Sequence, residues 1–164
     1  MMRPLALAPL ALAVACSSDT PGEEPTPPPI AVDIGLPGGS DGLEFIPLVP
    51  GGAVPLQTFG QGGTHALLAV RTSGLGDRAF VSVFIRNTAT GVEVSAPAGS
   101  SPRLLACHDT GECDLLPLLV MTGGLVLPGQ SREGLAVSVR VEATGADGGA
   151  ASVERDARLT TESL

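Results

Sequence analysis

Strict alternation of apolar and polar residues near the C-terminus is the feature that most constrains this fold. Over residues 135–143 the odd positions are apolar and the even positions are small or polar. A period of two predicts a β-strand with one buried and one solvated face. A Gly-rich turn over 145–149 follows, and the alternation resumes over 151–159, where Arg155 is the exception among the inward positions. These segments predict a C-terminal β-hairpin.

Further short strands are predicted earlier in the chain. Residues 79–86 alternate, and a turn over 87–91 leads into a partner strand at 92–95. The apolar run over 66–71 is typical of a central strand. Pro117 indicates an edge strand or a short helical turn around it. The remaining candidate strands are 43–49, 54–59, 103–107, 115–121 and 125–127.

These segments predict an all-β fold. The 22 Gly and 15 Pro favour many turns and few helices. Roughly seven to nine short strands predict a single antiparallel β-sandwich over residues 30–164. The closing portion, from 127 through the last strand, resembles the immunoglobulin-like and fibronectin-type-III-like domains of secreted bacterial proteins. The resemblance implies an immunoglobulin-like sandwich, although the sequence lacks the Trp and Tyr hallmarks of true immunoglobulin domains.

The N-terminus carries an export signal by its pattern. Arg3 precedes an apolar run over 5–15, which is too short to span a bilayer as a helix. Residues 12–16, Leu-Ala-Val-Ala-Cys, resemble a lipobox, the site that bacterial lipoprotein signal peptidase recognises. The family most often has Leu where this chain has Ala13. The alternative is an ordinary signal peptide followed by a chance cysteine.

The lipobox resemblance implies a lipid anchor. Residues 1–15 would be removed as a lipoprotein signal peptide, and Cys16 would carry the acyl chains that hold the protein to the membrane. Ser17 favours the outer membrane, since Asp at this position retains such lipoproteins in the inner membrane. Residues 16–29 form a Pro-rich linker with almost no apolar content, for which an extended polyproline II spacer is expected.

The two remaining cysteines, Cys107 and Cys113, form an even pair once Cys16 is set aside. They bracket a polar turn containing Gly111, and in an oxidising compartment they are expected to form a disulfide. The competing interpretation is a metal site that uses both sulfurs and His108, although the spacing differs from that of zinc sites.

Few other side chains are candidates for metal binding or catalysis. His65 closes the string Gln-Gly-Gly-Thr-His over 61–65, where it is a weak candidate metal ligand or polar contact; alternatively it bonds neighbouring backbone and orients the turn. Asp109, Glu112 and Asp114 form an acidic loop whose oxygens suit calcium, but their spacing matches no calcium loop and exposed acids at a turn are usually solvated.

Composition argues against several function classes. The net charge of −8 and the absence of Lys argue against nucleic-acid binding and against adsorption to anionic lipid headgroups. No catalytic residues and no cofactor are predicted, because no nucleophile motif accompanies His65 or His108. The sequence has no Trp and no Tyr, the residues on which sugar rings stack, so a carbohydrate-binding role is not favoured.

Two functional hypotheses follow. The first is an outer-membrane or surface-anchored lipoprotein acting as a non-enzymatic structural or protein-interaction module. Its expected partners are the membrane, through the lipid anchor, and as a candidate another envelope protein. The second is a periplasmic or surface metal-binding protein that uses His65 and, as a weaker candidate, His108.

Overall fold

The computed structural model describes residues 28–60, 63–97 and 99–161. The predicted signal peptide over 1–15, the lipidation site Cys16 and the linker up to residue 27 lie outside the described residues. So do residues 61 and 62 of the Gln-Gly-Gly-Thr-His string.

Every regular element in the described part of the chain is a β-strand. No helix in that part is long and apolar enough to cross a membrane. The strands are β1 (Ala31–Gly38), β2 (Glu44–Pro47), β3 (Gly52–Thr58), β4 (Thr64–Ser73), β5 (Arg78–Asn87), β6 (Glu93–Ala96), β7 (Arg103–Leu104), β8 (Ala106–Cys107), β9 (Glu112–Met121), β10 (Ala136–Gly145) and β11 (Ala150–Thr160).

The strands form one mixed sheet with two portions. In the first, which we call the β4 portion, one edge of β4 pairs with β9 and the other edge pairs with β1 and then with β3. β2 pairs with β1, and β8 pairs with β9. In the second, the β10 portion, β10 lies between β5 and β11, and β6 and β7 pair with the outer edge of β5. The inward faces of the β4 portion and the β10 portion both contribute side chains to a single hydrophobic core.

β3 links the two portions because it changes partner along its length. Its residues 52–55 pair with β11 in parallel, and its residues 56–58 pair with β4 antiparallel. The prediction of a purely antiparallel sheet is therefore wrong at this pair. β3 is antiparallel to β4 and β11 is antiparallel to β10, and the chain path leaves β3 and β11 running in the same direction.

The predicted C-terminal hairpin is confirmed as β10 paired with β11. Arg155, the exception among its inward positions, reaches Asp33 of β1 at 3.3 Å, so its charge is paired. The predicted partner of 79–86 is confirmed as β6, and the alternation is confirmed in β5 and β10. The inward side chains of these two strands are Ala79, Val81, Val83, Ile85, Val137, Val139, Val141 and Ala143.

Three local predictions differ from the structure. No strand was predicted over Ala31–Gly38, where Gly and Pro, which are uncommon in strands, stand between and after the alternating apolar residues. The segment 103–107 is two short strands, because β7 pairs with β5 and β8 pairs with β9. Residues 125–127 are not a strand: Leu125 is buried in a loop, where the amide of Asn87 donates to its carbonyl oxygen at 3.1 Å.

The two ends of β4 define the ends of the domain used below. The chain arrives from the linker beside the end of β4 at Ser73, whose hydroxyl donates to the Pro29 carbonyl oxygen at 2.8 Å. We call this the linker end. The opposite end of β4, at Thr64, is the far end. A strand rises about 3.3 Å per residue, so the two ends are roughly 30 Å apart.

Candidate functional site

A disulfide-closed turn occupies the linker end. Cys107 of β8 and Cys113 of β9 lie directly opposite each other, and an S–S bond of 2.07 Å joins them. The backbone N–H of His108 donates to the carbonyl oxygen of Glu112 at 2.8 Å. Gly111 has a φ of 82°, a left-handed conformation that glycine adopts at little cost. The turn thereby sets His108 beside the strand that carries Asp114.

Asp114 is a buried carboxylate with a full set of partners. Its side chain is only 2% exposed. Arg71 of β4 lies opposite it and donates from Nε at 2.7 Å and from Nη2 at 2.9 Å. His108 Nε2 contacts the second oxygen at 2.8 Å. A paired guanidinium and a ring N–H offset the cost of removing this charge from water.

The environment keeps Asp114 ionised. Burial by itself raises the pKa of this carboxyl, but the hydrogen bonds from Arg71 and His108 outweigh burial and hold the pKa below its usual value of 3.8. The hydrogen bond to Asp114 in turn raises the pKa of Arg71. An ionised carboxylate only accepts hydrogen bonds, so His108 carries its proton on Nε2. The arrangement suits a structural ion pair better than acid–base chemistry.

The β1–β2 hairpin covers Arg71. The Phe45 ring lies with its centroid 4.4 Å from the Arg71 guanidinium carbon, within cation–π range. Gly35 permits this approach, because a Cβ there would come within 2.6 Å of the Phe45 ring. An open cleft of about 290 Å³ remains between the hairpin and the Arg71–His108–Asp114 cluster.

The metal interpretations of this loop are not supported by its geometry. Both sulfurs of the Cys107–Cys113 pair are used in the disulfide. Glu112 faces Arg71 at 3.3 Å, and Asp114 is bound to the same guanidinium, so the acids of the proposed calcium loop neutralise a cation already present. Asp109 is exposed. Across residues 28–60, 63–97 and 99–161, no three His, Cys, Asp or Glu side chains are placed to hold a metal.

A second cluster lies on the same outer face of the β4 portion, at the far end. His65 and Leu67 of β4 are opposite Met121 and Leu119 of β9, and directly opposite residues share a face. Phe59, just after β3, packs its ring edge against His65 with centroids 5.2 Å apart. Three of these residues are more than one-third exposed: Met121 at 60%, Phe59 at 41% and Leu119 at 39%. We call these five residues the apolar patch.

His65 is the polar member of this patch. Its Nδ1 atom is buried and has no hydrogen-bond partner within the described part of the chain. The backbone bond expected of an orienting histidine is thus not seen among the described residues. Arg71, beside His108, is six positions further along β4, a separation of roughly 20 Å. His65 and His108 therefore lie at opposite ends of one sheet face and do not share a site.

Several of these residues carry no signal in the sequence. Arg71 follows an apolar run, and nothing local shows that it pairs with an acid 43 residues away. Leu119 and Met121 belong to a run that reads as core. Comparisons with family models, curated proteins and solved structures find no match to this chain. The functional assignment therefore depends on the geometry of the two clusters.

Proposed function

We propose that this chain is an outer-membrane or surface-anchored lipoprotein whose immunoglobulin-like β-sandwich is a non-enzymatic protein-interaction module. The lipobox-like string before Cys16 supports the anchor. Two observations support the sandwich: both sheet portions contribute to one core, and β3 changes partner from one portion to the other. Strands that switch sheets in this way occur in packed two-sheet folds.

The apolar patch is the observation that carries the interaction role. Exposed apolar side chains are ordinary when scattered, but a contiguous group on one face marks interaction sites. Met121, Leu119 and Phe59 are exposed on one sheet face, and the buried Nδ1 atom of His65 beside them has no hydrogen-bond partner among the described residues. A partner that covers this surface would bury the apolar groups and could supply a donor or acceptor to His65.

The position of the patch suits an anchored protein. The linker reaches the domain at the linker end, beside Ser73. A polyproline II linker over residues 17–29 would span about 40 Å. An anchor at Cys16 would then hold the linker end nearest the membrane, and the far end with the apolar patch would face away from it.

The linker-end cluster favours a structural role over catalysis. Asp114 is held by Arg71 and His108, and its lowered pKa leaves it ionised. The cysteines beside it are joined to each other and offer no thiolate nucleophile. The contacts of this cluster stabilise the end of the domain where the chain begins its first strand.

In-cell photo-crosslinking tests the proposal. A photoreactive side chain at Met121 should yield a protein adduct in intact cells, whereas the same group at Leu104, which is 69% exposed at the linker end, should yield none or far less. Cys16→Ser should move the chain from the membrane fraction to the soluble fraction or block its processing. Absence of adducts at position 121, or equal labelling at both positions, would refute the interaction role. Unchanged membrane partitioning of Cys16→Ser would refute the anchor.

A further inference from the structure

The Nδ1 atom of His65 is a polar group that the fold leaves unexplained. It is buried, and it has no hydrogen-bond partner among residues 28–60, 63–97 and 99–161. Buried polar groups in native proteins are nearly always paired, so an unpaired one calls for an explanation such as a bound water or ion. Imidazole nitrogens are the commonest metal ligands in proteins. The side chains around His65 therefore indicate whether an ion belongs there and of which kind.

Met121 offers a second ligand directly across the sheet from His65. The backbone N–H of Thr122 donates to the carbonyl oxygen of Thr64 at 2.8 Å, so these two residues form a hydrogen-bonded pair. His65 and Met121, one position further in, are then a non-hydrogen-bonded pair, the kind whose side chains lie closest in an antiparallel sheet. Cβ atoms of such a pair are roughly 5 Å apart. The imidazole and the thioether sulfur are therefore within reach of one ion.

Two neighbours hold the His65 ring without bonding to its nitrogens. The Phe59 ring lies nearly perpendicular to it, with the centroids 5.2 Å apart. Gly63 has a φ of 93°, and a Cβ at this position would lie 3.3 Å from Cε1 of His65, the carbon between the two ring nitrogens. A side chain at position 63 would therefore crowd the ring edge through which an ion reaches Nδ1. Glycine leaves that edge clear.

The two donor types select a soft monovalent cation. Thioether sulfur and imidazole nitrogen both bind copper, and the thioether favours Cu(I), whereas Ca²⁺ and Mg²⁺ require oxygen ligands. The five residues of the apolar patch include no Asp and no Glu. In the described part of the chain, no three His, Cys, Asp or Glu side chains are placed together, so a four-ligand zinc site is not available. Cu(I) accepts coordination by two such donors.

We propose that His65 and Met121 bind one Cu(I) ion on the outer face of the β4 portion, through Nδ1 and the thioether sulfur. This inference goes beyond the proposed function and does not depend on it. Met121 is 60% exposed, so an ion can reach its sulfur from solvent, and its flexible side chain can bring that ion to the imidazole. The ion enters as Cu(I) and exchanges water for the two ligands, so no electron is transferred.

Nuclear magnetic resonance of the full chain with Cys16→Ser and ¹³C-labelled methionine methyl groups tests the site. One equivalent of Ag(I), a redox-inert analogue of Cu(I), should shift the Met121 methyl resonance and the His65 ring resonances together. Cu(I) kept reduced with ascorbate should shift the same resonances, and one equivalent of Zn(II) should shift neither. Cys16→Ser removes the free thiol, and the other two cysteines are joined in the disulfide, so no thiolate competes for the ion.

Single substitutions show whether both ligands are needed. Met121→Leu and His65→Leu should each weaken Ag(I) binding at least about tenfold, because even the loss of a residue that only orients a metal ligand costs tenfold or more. Leu119→Ser, at the next outward position of β9, should leave the affinity unchanged. Met121→Leu removes the sulfur and keeps an apolar side chain in the patch. Circular dichroism of each variant shows whether it is folded.

Three outcomes would overturn the site. The first is a shift confined to Met1 and Met2, the other thioethers of the full chain. The second is a Met121 shift that keeps its affinity in His65→Leu, since the thioether would then bind the ion without the imidazole. The third is Zn(II) binding as tight as that of Ag(I), which contradicts a soft-cation site. None of these outcomes bears on the protein-interaction role, because the apolar surface is the same in each.

Discussion

The two clusters at opposite ends of one sheet face differ in whether their side chains find partners within the domain. Both clusters lie on the outer face of β4 and β9, and both place β4 residues opposite β9 residues. At the linker end, Arg71 and Asp114 are polar, and each finds its partner within the domain. At the far end, the buried Nδ1 atom of His65 has no partner within residues 28–60, 63–97 and 99–161, and the apolar side chain of Met121 is exposed to solvent.

This difference indicates that the linker end contributes to stability and that the far end is the region expected to bind a partner. The linker end is closed: its charges are paired, its turn is crosslinked and Phe45 covers Arg71. At the far end, apolar side chains remain exposed to solvent in the isolated chain. Changes at the linker end should therefore alter the free energy of unfolding, whereas changes at the far end should alter association and leave folding nearly untouched.

The largest effect is expected from Asp114→Ala. The substitution removes the partner of two Arg71 donors and of His108, and should lower the free energy of unfolding by about 2 to 3 kcal/mol. Urea denaturation followed by circular dichroism measures the loss. Glu112→Ala is the matched control, because its more exposed contact with Arg71 should be worth less than about 1 kcal/mol. Equal losses in both variants would contradict the closed-end interpretation.

Reduction of the Cys107–Cys113 disulfide should have the next largest effect. The bond closes a short loop, so in the chain-entropy model its loss should cost about 2 kcal/mol and lower the melting temperature by several degrees. The domain should remain folded, because the core strands do not require the bond. Calorimetry with and without reductant measures the change, and intact mass should differ by two hydrogens. Free thiols in the freshly isolated, oxidised protein would contradict the pairing.

The pH dependence of stability should reveal Asp114 as well. Its pKa is lower in the folded state than its usual 3.8, so the stability it contributes is present above about pH 4 and is lost as the pH falls through the folded pKa. The difference in unfolding free energy between wild type and Asp114→Asn should therefore shrink below pH 4. Glu133, whose pKa is lowered by its hydrogen bonds with Thr161, adds a slope of the same sign. Glu133→Gln serves as the control, and a constant difference between wild type and Asp114→Asn across this range would contradict the prediction.

The smallest effects on folding are expected at the far end. Met121→Ser should change the free energy of unfolding by no more than about 0.5 kcal/mol, because the side chain is exposed. His65→Leu should be neutral or slightly stabilising, since it removes a buried nitrogen that has no partner in the described part of the chain. Urea denaturation of both variants measures this. A loss above about 1 kcal/mol in His65→Leu would show that His65 stabilises the loop instead.

The strands were predictable where a local period exists. β5 and β10 alternate so regularly that their inward residues could be named from the sequence, whereas Pro117 left an edge strand and a short helical turn as alternatives for the segment that is β9. β1 was not predictable in the same way. Its inward residues Ile34 and Leu36 do alternate, but Gly35 between them is a residue uncommon in strands, and the Phe45 ring of the next strand occupies the space that a Cβ at position 35 would need.

The site was less predictable than the fold. Cys107, Cys113, His108 and Asp114 were all identified as unusual, but their common centre, Arg71, is 43 residues from Asp114 and shows no local signal. The parallel pairing of β3 with β11 was missed for a similar reason. Alternation identifies which residues face inward, but it does not show which distant strand lies alongside or in which direction.

The pairing of β3 with β11 has a consequence for when this domain can form. Gly52 of β3 lies beside Ala157 of β11, so β3 cannot complete its pairing until β11 is present. Long-range contacts of this kind slow folding, because the closure of a long loop precedes any gain from pairing. A chain that emerges N-terminus first would thus hold β3 with its β11-facing edge open until the C-terminal hairpin has also emerged. Assembly of this domain therefore depends on β11, and the pairing of β3 is complete only after that strand has been synthesised.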